Sequence, residues 1–375
     1  MQFAQRRHQI DSSGIRRIFD LAANLKDPCN LSIGLPDYDV PDVVKEAAID
    51  AILHGKNRYT LTAGIPALRQ KIKAMYDARG QAAVAQDVIV TSGTSGALFL
   101  VLLALLDPGD EVMMADPFFV MYKHLSNFIG AVPRMVDTYP DFRLTRERLE
   151  AAWTPRCKML ILNSPNNPTG RLYTREELEE AGRFADEKGL VVLSDEIYEH
   201  LVYEDGGCVS GAAFSDPART VIVSGLSKSV AMTGWRLGWC AGPKDLIKAM
   251  SEIQQYSFVC APAPAQEAAL AAGMDFDMAE IRQLYARRRD LIYRGLTELG
   301  YDVERPGGAF YIFPKAPGGD GDAFVERAIE NNLLIVPGSV FSERRSHFRI
   351  SFAASERQLE RGLEILSGLL AKTPA

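Results

Sequence analysis

Residues 159–198 read MLILNSPNNPTGRLYTREELEEAGRFADEKGLVVLSDEIY. Met159 to Leu162 is a short apolar run, and Leu190 to Leu193 is another. Between them Thr174 and Glu177 have the spacing of a capping box, and Leu178, Ala181, Gly182 and Ala185 fall on one face at helical spacing. Gly189 supplies the stop. A strand, a helix and a strand in that order make a crossover unit, the connection that parallel strands require.

Working outward, the same rhythm begins near residue 87. Val88-Ile89-Val90, Glu111 to Ala115 and Thr220 to Val223 are further candidate strands. The pattern predicts an α/β fold with a three-layer, mostly parallel sheet in a large domain and a smaller α+β domain. The large domain is expected over 45–280, and the small one over 1–44 plus 281–375. No internal repeat or low-complexity tract interrupts it. Arg287-Arg288-Arg289, in the helical texture after Pro262, reads as a solvated helix face.

Composition narrows the function. The net charge of −6 lacks the basic footprint of a nucleic-acid surface. The longest strongly apolar run, Ala97 to Leu106, is about half of the roughly 20 residues a bilayer crossing needs. No apolar stretch follows Arg6-Arg7, so no secretory signal is read and a cytoplasmic protein is expected. Five scattered cysteines without a Cys-x-x-Cys pair fit reduced, buried thiols. The five histidines include no pair at ligand spacing, so no metal site is expected.

Chemistry-bearing residues follow the strands directly: Thr91 to Gly96, Pro117 to Phe119, Asn163 to Gly170, Ser194 to Tyr198, and Ser224 to Lys228. Ligands of such sheets bind outside the carboxyl ends of the strands, so these segments are expected to converge on one crevice. Thr91-Ser92-Gly93-Thr94-Ser95-Gly96 opens a helix and suits a phosphate, or is simply a tight turn. Lys228, between Ser227 and Ser229 with Arg236 eight positions on, is placed to become a nucleophile if burial and positive charge lower its pKa. Asp195 with Tyr198 suits a cationic heterocycle nitrogen and a neighbouring phenolate oxygen, or is a helix cap with an incidental tyrosine. Asn163 to Gly170, with two prolines, is at least a rigid loop.

Together these segments resemble the pyridoxal-phosphate-dependent aminotransferases of class I/II, the aspartate aminotransferase superfamily, from about Gly34 to Phe352. Asn167-Pro168-Thr169-Gly170, Asp195-x-x-Tyr198, Ser227-Lys228 and Gly234-x-Arg236-x-Gly238 occur in the family's order. The resemblance implies pyridoxal 5'-phosphate as cofactor, with Lys228 forming its Schiff base and Asp195 pairing with the pyridinium nitrogen. Asn167 and Tyr198 would hydrogen-bond the phenolic oxygen. Thr94, Ser95, Ser227 and Arg236 would hold the phosphate, Phe119 would stack on the ring, and Tyr59 would reach the phosphate of a neighbouring subunit in a homodimer with shared sites. Arg349 would grip the substrate α-carboxylate in a pocket lined by Gly34. The implied reaction moves an amino group between an L-amino acid and a 2-oxo acid. A carbon–sulfur β-lyase on the same scaffold is the alternative.

Two departures stand out. The family's Pro-Gly-x-x-Phe-Gly turn appears as Pro337 to Ser342, with its last glycine replaced. Members that bind a dicarboxylate often place a basic residue where Ser95 stands, which weakens an aspartate-specific reading.

Overall fold

The computed structural model describes residues 1–10, 25–273 and 276–370. Seven strands form the central sheet: β1 (Asp87–Ser92), β2 (Glu111–Asp116), β3 (Val132–Asp137), β4 (Cys157–Asn163), β5 (Val191–Asp195), β6 (Thr220–Gly225) and β7 (Leu237–Gly242). Their order is β1-β7-β6-β5-β4-β2-β3, with β7 antiparallel to both neighbours and the other pairings parallel.

The apolar runs are continuous because both faces are covered. On β4, Met159 and Ile161 join a cluster with Leu98, Leu193 and Met250, while Leu160 and Leu162 join Leu178, Phe184 and Val192 on the other side. Helices α1 (Asp42–Leu53) and α2 (Pro66–Ala78) supply Val44, Leu68 and Ile72 to a third cluster around Val88 and Trp239. The expected capping box is present. Thr174 and Glu177 exchange their hydrogen bonds at the start of α6 (Arg175–Lys188), and Gly189 closes it in the left-handed region. Helices α3 (Gly93–Leu105), α4 (Val120–Ile129) and α5 (Arg146–Ala152) precede it.

Strand ends run further than the apolar residues suggested. β1 continues to Ser92, paired with Leu237, so Gly93 opens α3 directly instead of following a loop. Asn163 and Asp195 are register partners at the carboxyl ends of β4 and β5.

Helices α7 (Lys244–Ser257), α8 (Ala263–Ala272) and α9 (Ala279–Glu298) lead to a three-stranded antiparallel sheet of β8 (Tyr311–Ile312), β9 (Val336–Pro337) and β10 (Phe348–Ser351). With α10 (Gly321–Glu330) and α11 (Glu356–Leu370) it encloses a core of Phe310, Phe324, Phe348, Ile350 and Leu366, to which Cys29 and Leu31 also belong.

The three arginines of α9 correct one expectation. Arg287 is exposed, but Arg288 and Arg289 are buried. Arg288 pairs with Asp37 at 2.9 Å, and Arg289 pairs with Glu204 at 2.9 Å. A charge run predicts solvation only when no carboxylate from another segment meets it, and those partners lie about 250 and 85 residues away in sequence. Cys29, Cys157 and Cys240 are buried free thiols, whereas Cys208 and Cys260 are only partly covered. No helix among the described residues is long and apolar enough to cross a membrane.

Candidate active site

The segments beyond β1, β2, β4, β5 and β6 converge on one cavity of about 320 Å³ at the carboxyl edge of the large sheet. Thr94, Ser95, Phe119, Asn167, Asp195, Tyr198, Ser227, Lys228, Arg236, Arg349 and Gly34 all line it. Of the residues expected at the site, Tyr59 alone lies elsewhere: in the single chain it is 83% exposed.

At one end, Gly93 takes a φ of +69°, which turns the chain from β1 straight into α3. A Cβ on Gly93 would stand 2.5 Å from the Arg236 guanidinium, and a Cβ on Gly238 would stand 2.4 Å from the Thr94 amide. The two missing side chains let a cation lie against the start of a 13-residue helix whose first N–H groups lack intrahelical partners. Arg236 is anchored there by donating to the Thr233 carbonyl at 3.0 Å. Thr94 Oγ1 is shielded and makes no hydrogen bond among the described residues. A buried hydroxyl without a partner is costly, so this end of the cavity is built for an anion.

At the other end Arg349, on β10, is 1% exposed. Its guanidinium lies between the rings of Tyr311 and Phe341, 4.4 and 4.5 Å from their centroids. Its Nη1 donates to Asn167 Oδ1 at 3.0 Å and its Nη2 to the Ser32 carbonyl at 3.0 Å. Asn167 is held in turn, its N–H donating to Asn163 Oδ1 at 3.0 Å. The cation is thus fixed in plane and rotation by both parts of the molecule.

Lys228 lies between these cations, with Nζ donating to the Gly34 carbonyl at 2.7 Å. Burial, with Arg349 and Arg236 adding repulsion, lowers its pKa to about 8. Asp195 forms the deep wall, and burial raises its carboxyl to about 6 against the opposing hydrogen bond from Tyr122. Tyr198 Oη lies 2.9 Å from Tyr311 Oη. Phe119 presents its ring edge-on to Tyr122, with centroids 5.5 Å apart.

Pyridoxal phosphate fits these residues: an anion end with an unpartnered hydroxyl, a buried carboxylate, an amine of lowered pKa and a fixed guanidinium within one cavity. Sequence reasoning did not find Tyr122 and Tyr311. Tyr122 lies in the first turn of α4, three residues beyond Phe119, the residue that precedes the helix, and the two rings meet there edge to face. Tyr311 is reached only through the small sheet, and no local signal marks it.

The family profile described as aminotransferase class I and II matches residues 26–366. The chain belongs to this family. It is 41% identical over 354 residues to the aspartate/prephenate aminotransferase of Thermus thermophilus, covering 91% of each chain. It is 36% identical to aromatic-amino-acid aminotransferase 2 of Thermococcus litoralis, covering 99% of this chain and 98% of that one. The solved aspartate aminotransferase of Thermus thermophilus with maleate superposes with a TM-score of 0.93 at 39% identity, over 98% of this chain and all of that one. The protein is therefore an aminotransferase that uses pyridoxal 5'-phosphate, and the β-lyase alternative is not favoured.

The replaced glycine of the Pro337–Ser342 turn has a local use. Ser342 Oγ accepts from Tyr139 Oη at 2.9 Å and from the Arg344 N–H at 2.9 Å. The turn keeps its backbone tie through the Phe118 N–H, which donates to the Phe341 carbonyl at 2.8 Å.

Proposed function

We propose that this aminotransferase carries its cofactor on Lys228 and moves amino groups between L-amino acids with uncharged side chains and 2-oxo acids. The observation that carries the reading is the single cavity in which Lys228, Asp195, Arg236 and Arg349 meet. Thr94, Ser95, Ser227 and Arg236 would hold the cofactor phosphate, Asp195 the ring nitrogen, and Asn167 and Tyr198 the phenolic oxygen, while Phe119 would cover a ring face. When bound, the cofactor supplies an electron sink for the carbanion left at the substrate Cα.

The chain's own residues do the rest. With a pKa of about 8, the Lys228 amine is neutral in a minor but usable fraction of molecules near pH 7. Its ordinary value of 10.5 would leave it almost wholly charged. With its amine free, Lys228 Nζ would take the proton from the substrate Cα as base and, as acid, would hand it to the cofactor carbon that bears the amino group. Asp195, ionised above about pH 6, stabilises positive charge on the ring nitrogen. Arg349 receives the α-carboxylate and sets which Cα bond faces Lys228.

The side-chain class follows from charge. Among the described residues the cations lining the cavity are Lys228, Arg236 and Arg349, each already engaged, and Ser95 stands where a dicarboxylate site often has a base. The name of the Thermus thermophilus relative supports a second reading, a dicarboxylate donor held by a cation from outside this cavity. Conversion of bound cofactor to its amino form, followed by absorbance with each of the twenty amino acids, tests both. Neutral aliphatic, aromatic or sulfur-containing donors should convert it well ahead of aspartate. Aspartate as the best donor would overturn the uncharged-side-chain reading, and pyruvate plus thiol without an oxo-acid acceptor would indicate a lyase.

The working unit we propose is a cytoplasmic homodimer, Tyr59 of one chain completing the phosphate site of the other. An exposed Tyr59 beside exposed Leu61 supports a surface that a second copy covers. The proposed domain division, 45–280 against 1–44 with 281–375, is supported by Leu31 packing with Phe310 and Phe348 and by Ala48 packing with Val88 and Trp239, while Val40 and Val44, inside the 1–44 segment, pack with the large-domain cluster and favour a boundary before residue 40.

A further inference from the structure

Tyr122 is 2% exposed on α4 and has no place in the roles assigned above. Its Oη donates to Asp195 Oδ2 at 2.6 Å, while among the described residues the other carboxylate oxygen accepts only a longer bond, 3.3 Å, from the Ile197 N–H. The ring cannot easily turn away. Phe119 packs edge-on against it, and α4 is braced beside it by Ser126 Oγ donating to the Tyr122 carbonyl at 2.8 Å.

We propose that Tyr122 is a positioning residue which keeps the Asp195 carboxylate ionised and aimed into the cavity, so that the shared proton stays on the cofactor's ring nitrogen. A buried carboxylate and a pyridine nitrogen compete for one proton, and the winner decides how well the ring withdraws electrons. Burial favours the neutral acid, and a phenol donating to the charged form favours the carboxylate. Besides Tyr122, the titratable groups facing Asp195 are Glu196, whose charge favours protonation, Lys228, whose charge opposes it, and Tyr198. Burial holds the Tyr122 phenol well above its usual range, so it remains a donor at any working pH. The other close donor is a backbone amide whose bond is long, which leaves Tyr122 as the side chain that sets the balance.

This inference rests on Asp195 being the ring nitrogen's partner, and the test separates the two claims. In cofactor-free protein carrying ¹³C-labelled aspartate, Asp195→Asn identifies the resonance, and Tyr122→Phe should move its titration upward by roughly one pH unit. With ¹⁵N-labelled cofactor bound, Tyr122→Phe should shift the ring nitrogen signal from protonated toward neutral, with kcat down about tenfold and KM nearly unchanged. Replacing Tyr122 by 3-fluorotyrosine, a stronger donor, should move the carboxyl titration downward and guards against a folding defect in the Phe variant. An unmoved carboxyl titration and a still-protonated ring nitrogen in Tyr122→Phe would overturn the proposal, even if activity or Tm fell. A ring nitrogen that stays protonated in Asp195→Asn would refute the underlying pairing, and the proposal with it.

Discussion

Lys228 Nζ donates to the carbonyl of Gly34 at 2.7 Å, and Tyr38 Oη, four residues further along that segment, donates to the backbone carbonyl of Lys228 at 2.7 Å. The segment is thus fastened to the reacting lysine at two points, while Asp37 between them is anchored to Arg288 on α9. A loop held this way acts as a wall of the site.

Gly34 leaves no room for a side chain in that wall. A Cβ there would lie 2.7 Å from Tyr311 Oη, the hydroxyl that meets Tyr198. Gly34→Ala should therefore displace Tyr311 and raise the KM for the amino acid about tenfold, roughly 1.4 kcal/mol of binding. Steady-state kinetics check this, and an unchanged KM would mean that the segment yields freely.

Cofactor-free protein should show the cost of the buried amine. The Lys228 pKa is lowered from 10.5 to about 8, so between those values the unfolded chain binds a proton that the folded chain has lost. Stability from this group therefore rises as pH climbs through that window, and the penalty is full below pH 8. Lys228→Met, which keeps most of the stem volume, should be more stable than the parent by about 1–3 kcal/mol at pH 7, with the gap closing near pH 10.5. Urea unfolding at several pH values measures it, and a gap that widened with pH would have the wrong sign.

Assembly can be tested by complementation. Tyr59→Phe chains should release cofactor more readily, and Lys228→Ala chains should lack transamination. If Tyr59 serves the partner's site, mixed dimers hold one site with both lesions and one with neither, so activity returns on subunit exchange. Demonstrated exchange without recovery would place Tyr59 in its own site or in none.

The βαβ unit at residues 159–198 was legible because its cues are local: two short apolar runs, a capping box and a glycine stop. The convergence of Thr94, Asn167, Asp195 and Lys228 followed from the rule that doubly wound sheets bind ligands at their carboxyl edge. Tyr122 and Arg288 escaped because their meaning depends on a partner far away in sequence. A tyrosine on an amphipathic helix and an arginine in a basic run look ordinary until Asp195 and Asp37 are set beside them. Arg349 was reached through the family resemblance, since its buried setting is assembled from β10, Ser32 and Asn167, three segments that only the fold brings together.

The central claim is that Lys228 carries the cofactor. Borohydride reduction of the loaded enzyme followed by peptide mapping tests it most directly. The account predicts the cofactor mass on Lys228, and no fixed label in Lys228→Ala even though that variant still binds cofactor reversibly. Label fixed on any other lysine of the parent enzyme would contradict it.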